Sequence, residues 1–426
     1  MSTAVSSEKA LVKQYSPLAT AAGIGSMLGS GVIVGLSATI TVWQNGLGLT
    51  NGQVGIISGA LTFAIAIGSL LAGQISKMVG LIKAFNWLNL IYAIGAVLCI
   101  FSNSFGLLLA GVIIMGLASG ADLPISLTVV SHDAPDESTS ASLVSSTQIF
   151  WQVGVFISYI CSFIVSSMAG ATGARIVFAI LAAFAFITWL WRTFSAKFKQ
   201  FHDEGNARQA SRKEQGDGKT VSVMSVLFGK EKQKYLGFFF AILIFYVCWN
   251  LLANTWGQFQ TFTLVKAHAT QSFATGAGIV LNVISLITTM IFASVAGGKY
   301  RNKAFVIGVL VQFIAMIGLA ISNSGLWPIV AAIACYNVGN PVAGEAIYKV
   351  WTQESFPVET RASLQGFING FSRICCGLFA FITPILVLPE HIKTTMFGFA
   401  GIVVVSFIAG LVMMRLQKKY RTEDQL

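Results

Sequence analysis

Long apolar runs separated by short polar segments dominate this chain, and they predict helices at 18–43, 53–76, 83–102, 105–130, 139–168, 172–192, 235–260, 272–297, 303–323, 325–352, 361–388 and 393–415. Each run is at or beyond the roughly 20 mostly apolar residues that a helix needs to cross a bilayer core. They are too long and too evenly apolar for the tilted, alternating strands of a membrane barrel. The expected fold class is all-α: a polytopic membrane protein with 12 transmembrane helices in two six-helix pseudo-repeat bundles. The expected organisation is a cytoplasmic tail at 1–17, a six-helix bundle at 18–192, a cytoplasmic central loop at 193–234, a second bundle at 235–416 and a cytoplasmic tail at 417–426.

The division rests on the longest polar interruption, which carries Lys197, Lys199, Arg208, Arg212, Lys213, Lys219, Lys230, Lys232 and Lys234. Positive residues gather in alternate loops when the N-terminus is placed inside, leaving Arg175, Lys266 and Lys393 outside and Arg373 within a helix. That alternation predicts cytoplasmic termini. The halves also echo each other. Leu71-Ala72-Gly73 before Lys83-Ala84-Phe85 matches Val295-Ala296-Gly297 before Lys303-Ala304-Phe305, and His132 to Pro135 with Thr139 matches Glu354 to Pro357 with Arg361 at equal spacing. Such echoes favour a duplicated six-helix unit.

Composition adds that the solvent of this fold is lipid, since 55% of residues are hydrophobic and 10% charged, far from the make-up of a soluble domain. A net charge of +11 reflects cytoplasmic loops and not nucleic-acid binding. The six cysteines lie in apolar runs without metal-site or disulfide spacing. The polar stretch from Met1 to Tyr15 lacks the apolar core of a cleaved leader. No P-loop, zinc-ligand spacing or nucleophile motif is present, so no cofactor, metal or covalent chemistry is expected, and the chain is read as a non-enzyme.

From Tyr348 to Ala362 the chain resembles the Glu-x-Phe-Pro-x-x-x-Arg-Ala signature of the sugar porter branch of the major facilitator superfamily, here Glu354, Phe356, Pro357, Arg361 and Ala362. Weaker likeness extends through Gly31-Val32-Ile33, Gly116-Leu117 and the glutamines of helix 5, and the run from Gly344 to Pro357 resembles inositol-transporting relatives. The resemblance implies alternating access about a midplane site, with Glu354 and Arg361 in a cytoplasmic gate. Without it, these two residues read simply as a helix end and a helix start. The first half departs from the pattern: Gly29 stands where many sugar porters carry an Asp, Val112 and Thr139 replace arginines, and Lys77 replaces an acid.

Intramembrane polar groups are costly unless they are paired or face water, so they are the candidates for a solute pathway. Gln148 and Gln152 lie one turn apart on helix 5, as do Asn250, Asn254 and Gln258 on helix 7. Asn282, Asn337, Asn340, Asn369 and Arg373 are the candidates elsewhere in the second half, and Asn340-Pro341 is expected to break helix 10. Amide rows both donate and accept, and so can replace the water around a polyhydroxylated solute. Trp256 and Trp351 read either as apolar walls for a sugar ring or as interfacial belt residues. Asp122 and Glu345 are the candidates for proton coupling. Glu345 alternatively pairs with Lys349 within its helix or with Arg373.

A proton entering down 100 mV supplies about 2.3 kcal/mol, enough for well over tenfold accumulation. The expected function is a permease of the bacterial inner membrane that moves a sugar or polyol, with myo-inositol favoured, by proton symport. The expected partners are that solute, protons and the lipid bilayer, with no nucleic acid. Two alternatives stay open: a permease for an acidic sugar or other organic anion, motivated by Arg373, and a membrane-embedded solute sensor.

Overall fold

A computed structural model of the chain describes the backbone of residues 2–214, 223–295 and 300–420, and it is entirely helical across them. The helices cluster into two compact units. The first is built from Ser2–Leu47 (α1), Asn51–Val79 (α2), Leu81–Ile100 (α3), Phe105–Asp133 (α4), Glu137–Ile164 (α5), Thr172–Phe194 (α6) and Ala196–Glu214 (α7). The second contains Val223–Phe228 (α8), Lys232–Lys266 (α9), Gln271–Val295 (α10), Arg301–Ile321 (α11), Leu326–Val342 (α12), Glu345–Ser355 (α13), Val358–Ala380 (α14), Thr383–Leu386 (α15) and Ile392–Tyr420 (α16). Residues 54–59 of α2 group with the second unit.

Among the described residues, ten helical segments are long and apolar enough to cross a membrane. The other two predicted spans fall on α5, which contributes the apolar helix Ile149–Ile164, and on α14, which carries Asn369, Ser372 and Arg373. Helix starts follow local chemistry. The Thr50 side chain accepts from the Gln53 backbone while the Gln53 side chain accepts from Thr50 N, a reciprocal capping box for α2. The Asp136 carboxylate accepts from Thr139 N at 2.7 Å and Thr139 Oγ1 at 3.0 Å, which starts α5. Thr139, at the position where the family resemblance expects an arginine, therefore serves a helix cap.

Three stretches read as tails or loop are helical instead. The predicted N-terminal tail is continuous with α1, and Tyr15 within it is buried. The central loop contains α7, rich in the good helix formers Ala, Lys, Gln, Arg and Glu. Its polarity hid it from a search for apolar runs. At the other end α16 runs on to Tyr420 and buries Gln417.

In the first unit α1 packs on α5 through small residues. Ser30 Oγ donates to Trp151 O at 2.8 Å, and Ser158 Oγ donates to Gly31 O at 3.2 Å, giving close backbone approach of the kind that membrane helices use in place of a hydrophobic driving force. In the second unit an aromatic core gathers on α9, where Phe245 contacts Phe305 and Trp351 at ring separations of 5.8 and 4.9 Å.

Candidate functional site

Helix 10 does break, though not at the proline itself. Pro341 lies in the last turn of α12, which ends at Val342, and the chain turns through Ala343 and Gly344 before α13 begins at Glu345. Gly344 is required at this point, because a Cβ would strike the Asn340 carbonyl oxygen and the Trp249 indole ring. One carbonyl freed by the break, Ala343 O, accepts from Gln312 Nε2 at 3.4 Å.

The Trp249 indole seated at this break organises its neighbours. Its Nε1–H donates to Asn340 Oδ1 at 2.6 Å, and Tyr336 OH donates to the same oxygen at 3.0 Å. An indole N–H can only donate, so the atom facing it must be the amide oxygen. The Asn340 NH2 group then points the other way, and it has no hydrogen-bond partner among the described residues. Behind Trp249 an aromatic stack continues to Tyr246 at 5.4 Å and on to Tyr348 at 3.9 Å.

Around this core the structure brings together several of the predicted residues. Asn250 Nδ2 donates to Ser372 Oγ on α14 at 2.9 Å, and Gln258 Nε2 donates to Asn254 Oδ1 at 3.0 Å, so two of the three α9 amides are joined along their own helix and the third ties α9 to α14. Arg373 Nε donates to Asn369 Oδ1 at 3.2 Å, one turn back on α14. Asn337 is half-buried. Asn282 is half-buried too, with its amide turned onto Gly278 O of its own helix at 2.8 Å. Gln152, in the first unit, is half-buried. The side chains of Gln148 and Arg361 lie outside the described residues.

Neither tryptophan wall candidate is a belt residue. Trp351 is fully buried between Phe245 and Phe305 and is part of the packed core. Trp256 is 2% exposed and stands 6.3 Å from the Tyr336 ring. Its indole N–H finds no hydrogen-bond partner among the described residues.

The charged candidates separate into different environments. Glu345 takes the intrahelical option, 2.9 Å from Lys349 Nζ, with its side chain half-exposed. Asp122 is sealed. Arg192 Nη1 donates to Asp122 Oδ1 at 2.6 Å and Nη2 to Oδ2 at 3.3 Å, with both side chains almost fully buried. The rest of the guanidinium donates to Ala21 O, Phe85 O and Ser126 Oγ, and its carbon lies 4.0 Å from the Phe85 ring centroid. A Cβ at Gly25 would collide with both partners. Arg192, the last residue of the sixth predicted span, is an interior residue.

Glu354 is buried and paired with Arg301, whose Nη1 and Nη2 donate to Oε1 at 2.6 Å and Oε2 at 3.1 Å, while Gln417 Nε2 donates to Oε2 at 2.5 Å. Arg301 lies just past the second Ala-Gly echo, and that repeat was the one signal pointing to its loop. The first unit has a matching fastening at the end of α4. Buried Asp133 sits between His132 Nδ1 at 2.7 Å and His202 Nδ1 of α7 at 2.5 Å, and Arg208 Nη2 donates to Asp133 O at 2.6 Å.

Membrane-length helices, a broken helix at an amide-lined core and the lack of any metal-binding cluster among the described residues define a polytopic membrane protein organised around polar side chains. The chain belongs to the Major Facilitator Superfamily, whose family model matches residues 18–380. It is similar to the minor myo-inositol transporter IolF of Bacillus subtilis (strain 168), at 28% identity over 399 residues covering 92% of this chain and 89% of that protein. The probable metabolite transport protein CsbC of the same organism is 24% identical over 411 residues, covering 91% and 89%.

Among solved structures, the D-xylose-proton symporter superposes with a TM-score of 0.75 at 16% identity over 93% of this chain and 97% of that one. The inward open conformation of the xylose transporter XylE from E. coli gives 0.72 at 16% identity over 94% and 95%. These likenesses show the fold. The chain is a multi-pass, sugar-porter-like secondary transporter and not an enzyme.

Proposed function

We propose that this transporter carries a neutral polyol, myo-inositol in the first instance, across the bacterial plasma membrane by proton symport, with both termini cytoplasmic. The observation that carries the reading is Asn340. Two donor groups fix its amide oxygen, so its NH2 is presented as a pre-oriented donor beside the helix break, and pre-orientation lowers the ordering cost of binding a hydroxyl. The Trp256 ring supplies an apolar wall, and Asn250, Asn254, Gln258, Asn337 and Asn369 supply amides that donate and accept. A myo-inositol transporter among the similar proteins supports the same class of solute.

For the proton, Glu345 is the better of the two carboxylates. It is half-exposed and pairs with the Lys349 ammonium, whereas Asp122 is closed off by a guanidinium that uses every donor it has. Glu354, held by Arg301, takes the gate role.

The test is uptake of labelled myo-inositol, hexoses and hexuronates into cells expressing the protein, with and without a protonophore. Saturable inositol uptake that collapses with the protonophore is the expected result. Uptake of hexuronate alone would overturn the neutral-polyol reading and assign Arg373 to a substrate carboxylate, and binding without counterflow in proteoliposomes would make the protein a sensor.

A further inference from the structure

In the second unit α9 and α16 run antiparallel, with the start of one beside the end of the other. Phe238 lies 5.8 Å from the Tyr420 ring, and further along Ser406 Oγ donates to Phe245 O at 3.5 Å. Between the two helices runs a groove of about 560 Å³ whose lining is wholly apolar, including Leu236, Phe240, Ile244, Val405, Ile408 and Val412. Phe240 and Ile408 are 53% and 54% exposed, so the groove opens away from the packed core. At a rise of 1.5 Å per residue its walls run for about 12 Å on α9 and about 16 Å on α16. That is close to half of a hydrocarbon core of about 30 Å, the depth of one leaflet.

One end of this groove is basic. Lys232 and Lys234 lie in the first turn of α9, and Arg415, Lys418 and Lys419 in the last turns of α16. Lys232, Arg415, Lys418 and Lys419 are exposed. Tyr420 draws the two sets together, since the ammonium groups of Lys234 and Lys419 stand 5.9 and 5.2 Å from its ring centroid. Of the carboxylates at this end, Glu231 lies 3.1 Å from Lys234 Nζ, and buried Glu354, which accepts from Gln417 of α16, is already paired with Arg301, so the five cations remain in surplus.

We propose that this groove is a binding site for an anionic phospholipid, with one acyl chain between α9 and α16 and the phosphate at the cationic mouth. The match is twofold, an apolar slot one leaflet deep and a surplus of positive charge where the headgroup would lie. A basic pocket between transmembrane helices at the membrane surface is the setting in which anionic headgroups are held, each Lys or Arg there strengthening attachment about fivefold. A second copy of the chain fits the charge less well, because two copies in the same membrane orientation would set the same cations against one another.

The test uses the full-length protein, purified in a neutral detergent and titrated with phosphatidylglycerol, phosphatidylcholine or inorganic phosphate. The readouts are lipid retained by native mass spectrometry and the thermal midpoint. Three forms are compared: wild type, Lys418→Gln with Lys419→Gln, and Ile408→Trp, which fills the groove from an exposed position. Solute counterflow checks that each variant is folded.

Wild type is expected to retain phosphatidylglycerol at least twentyfold more tightly than phosphatidylcholine. The double Lys variant should lose that preference by about twentyfold without losing phosphatidylcholine, and Ile408→Trp should weaken both lipids. Equal retention of the two lipids by wild type, or retention unaffected by either substitution, would overturn the proposal. Stabilisation by inorganic phosphate alone would do the same by assigning the cations to a soluble anion, and a lipid-independent dimer lost in Ile408→Trp would do so by assigning the groove to a second copy.

Discussion

Replacing Asp122 by Asn separates a structural ion pair from a proton carrier. The carboxylate receives two charge-assisted hydrogen bonds from Arg192, at 2.6 and 3.3 Å, in surroundings where its own side chain is 2% exposed and that of Arg192 is fully buried. Hydrogen bonds to charged groups contribute about 1.5–3 kcal/mol each, and breaking a buried pair on one side costs about 3–5 kcal/mol because the surviving charge is stranded.

Arg192 would keep Ala21 O, Phe85 O and Ser126 Oγ as acceptors, so the lower part of that range, about 3 kcal/mol, is expected. The thermal midpoint in detergent should fall by roughly 6–12 °C for a cooperative unit of about 200 residues. Replacing both partners by apolar residues, Asp122→Leu with Arg192→Met, should restore most of the loss, since no charge is then left unpaired. Counterflow by the Asp122→Asn protein that survives should stay near wild type. An Asn variant that melts normally, keeps counterflow and loses protonophore-sensitive accumulation would refute this reasoning and make Asp122 the coupling carboxylate.

Glu345→Gln is expected to keep counterflow and lose uphill accumulation; if accumulation persists, Glu345 does not carry the proton. Asn340→Ala should raise KM for the transported polyol by about two- to tenfold, the worth of one hydrogen bond, with Trp249→Phe acting in the same direction because the amide loses the donor that orients it. Trp351→Ala, in contrast, should lower stability by about 3–5 kcal/mol and leave the KM of the surviving protein unchanged, as measured by melting and uptake side by side. Asp133→Asn should release α7, read as faster proteolytic cleavage within 196–214, while Gln200→Ala on the same helix should leave cleavage unaltered.

Most of the fold was legible because lipid imposes one rule on every span, and a twenty-residue apolar run satisfies it almost regardless of detail. That rule fails for segments that obey a different one. The helix α7 is polar apart from Phe198 and Phe201, which are buried beside Trp191 and Tyr15, and it is further held by His202 on Asp133 and by the Tyr15 hydroxyl, which donates to Glu204 at 3.0 Å, so no membrane-length apolar run announced it. The contact between Asn254 and Gln258 was readable from four-residue spacing, because the two meet along one helix. Partners on different helices were not readable: Trp249 with Asn340, Asn250 with Ser372, and Asp122 with Arg192 are 91, 122 and 70 residues apart.

The internal echo carried further than composition did. His132 and Glu354 occupy matching places in the two repeats, and both ends of helix turn out to be fastened to the segment that follows the last span of their own half. In the first half Asp133, next to His132, takes His202 of α7, and in the second Glu354 takes Gln417 of α16. The partners differ in type, imidazole in one case and a primary amide with Arg301 in the other, so no motif search would equate them. Fastening carboxylates one residue apart in the aligned repeats, with divergent partners, point to the fastening itself as what the repeat retains.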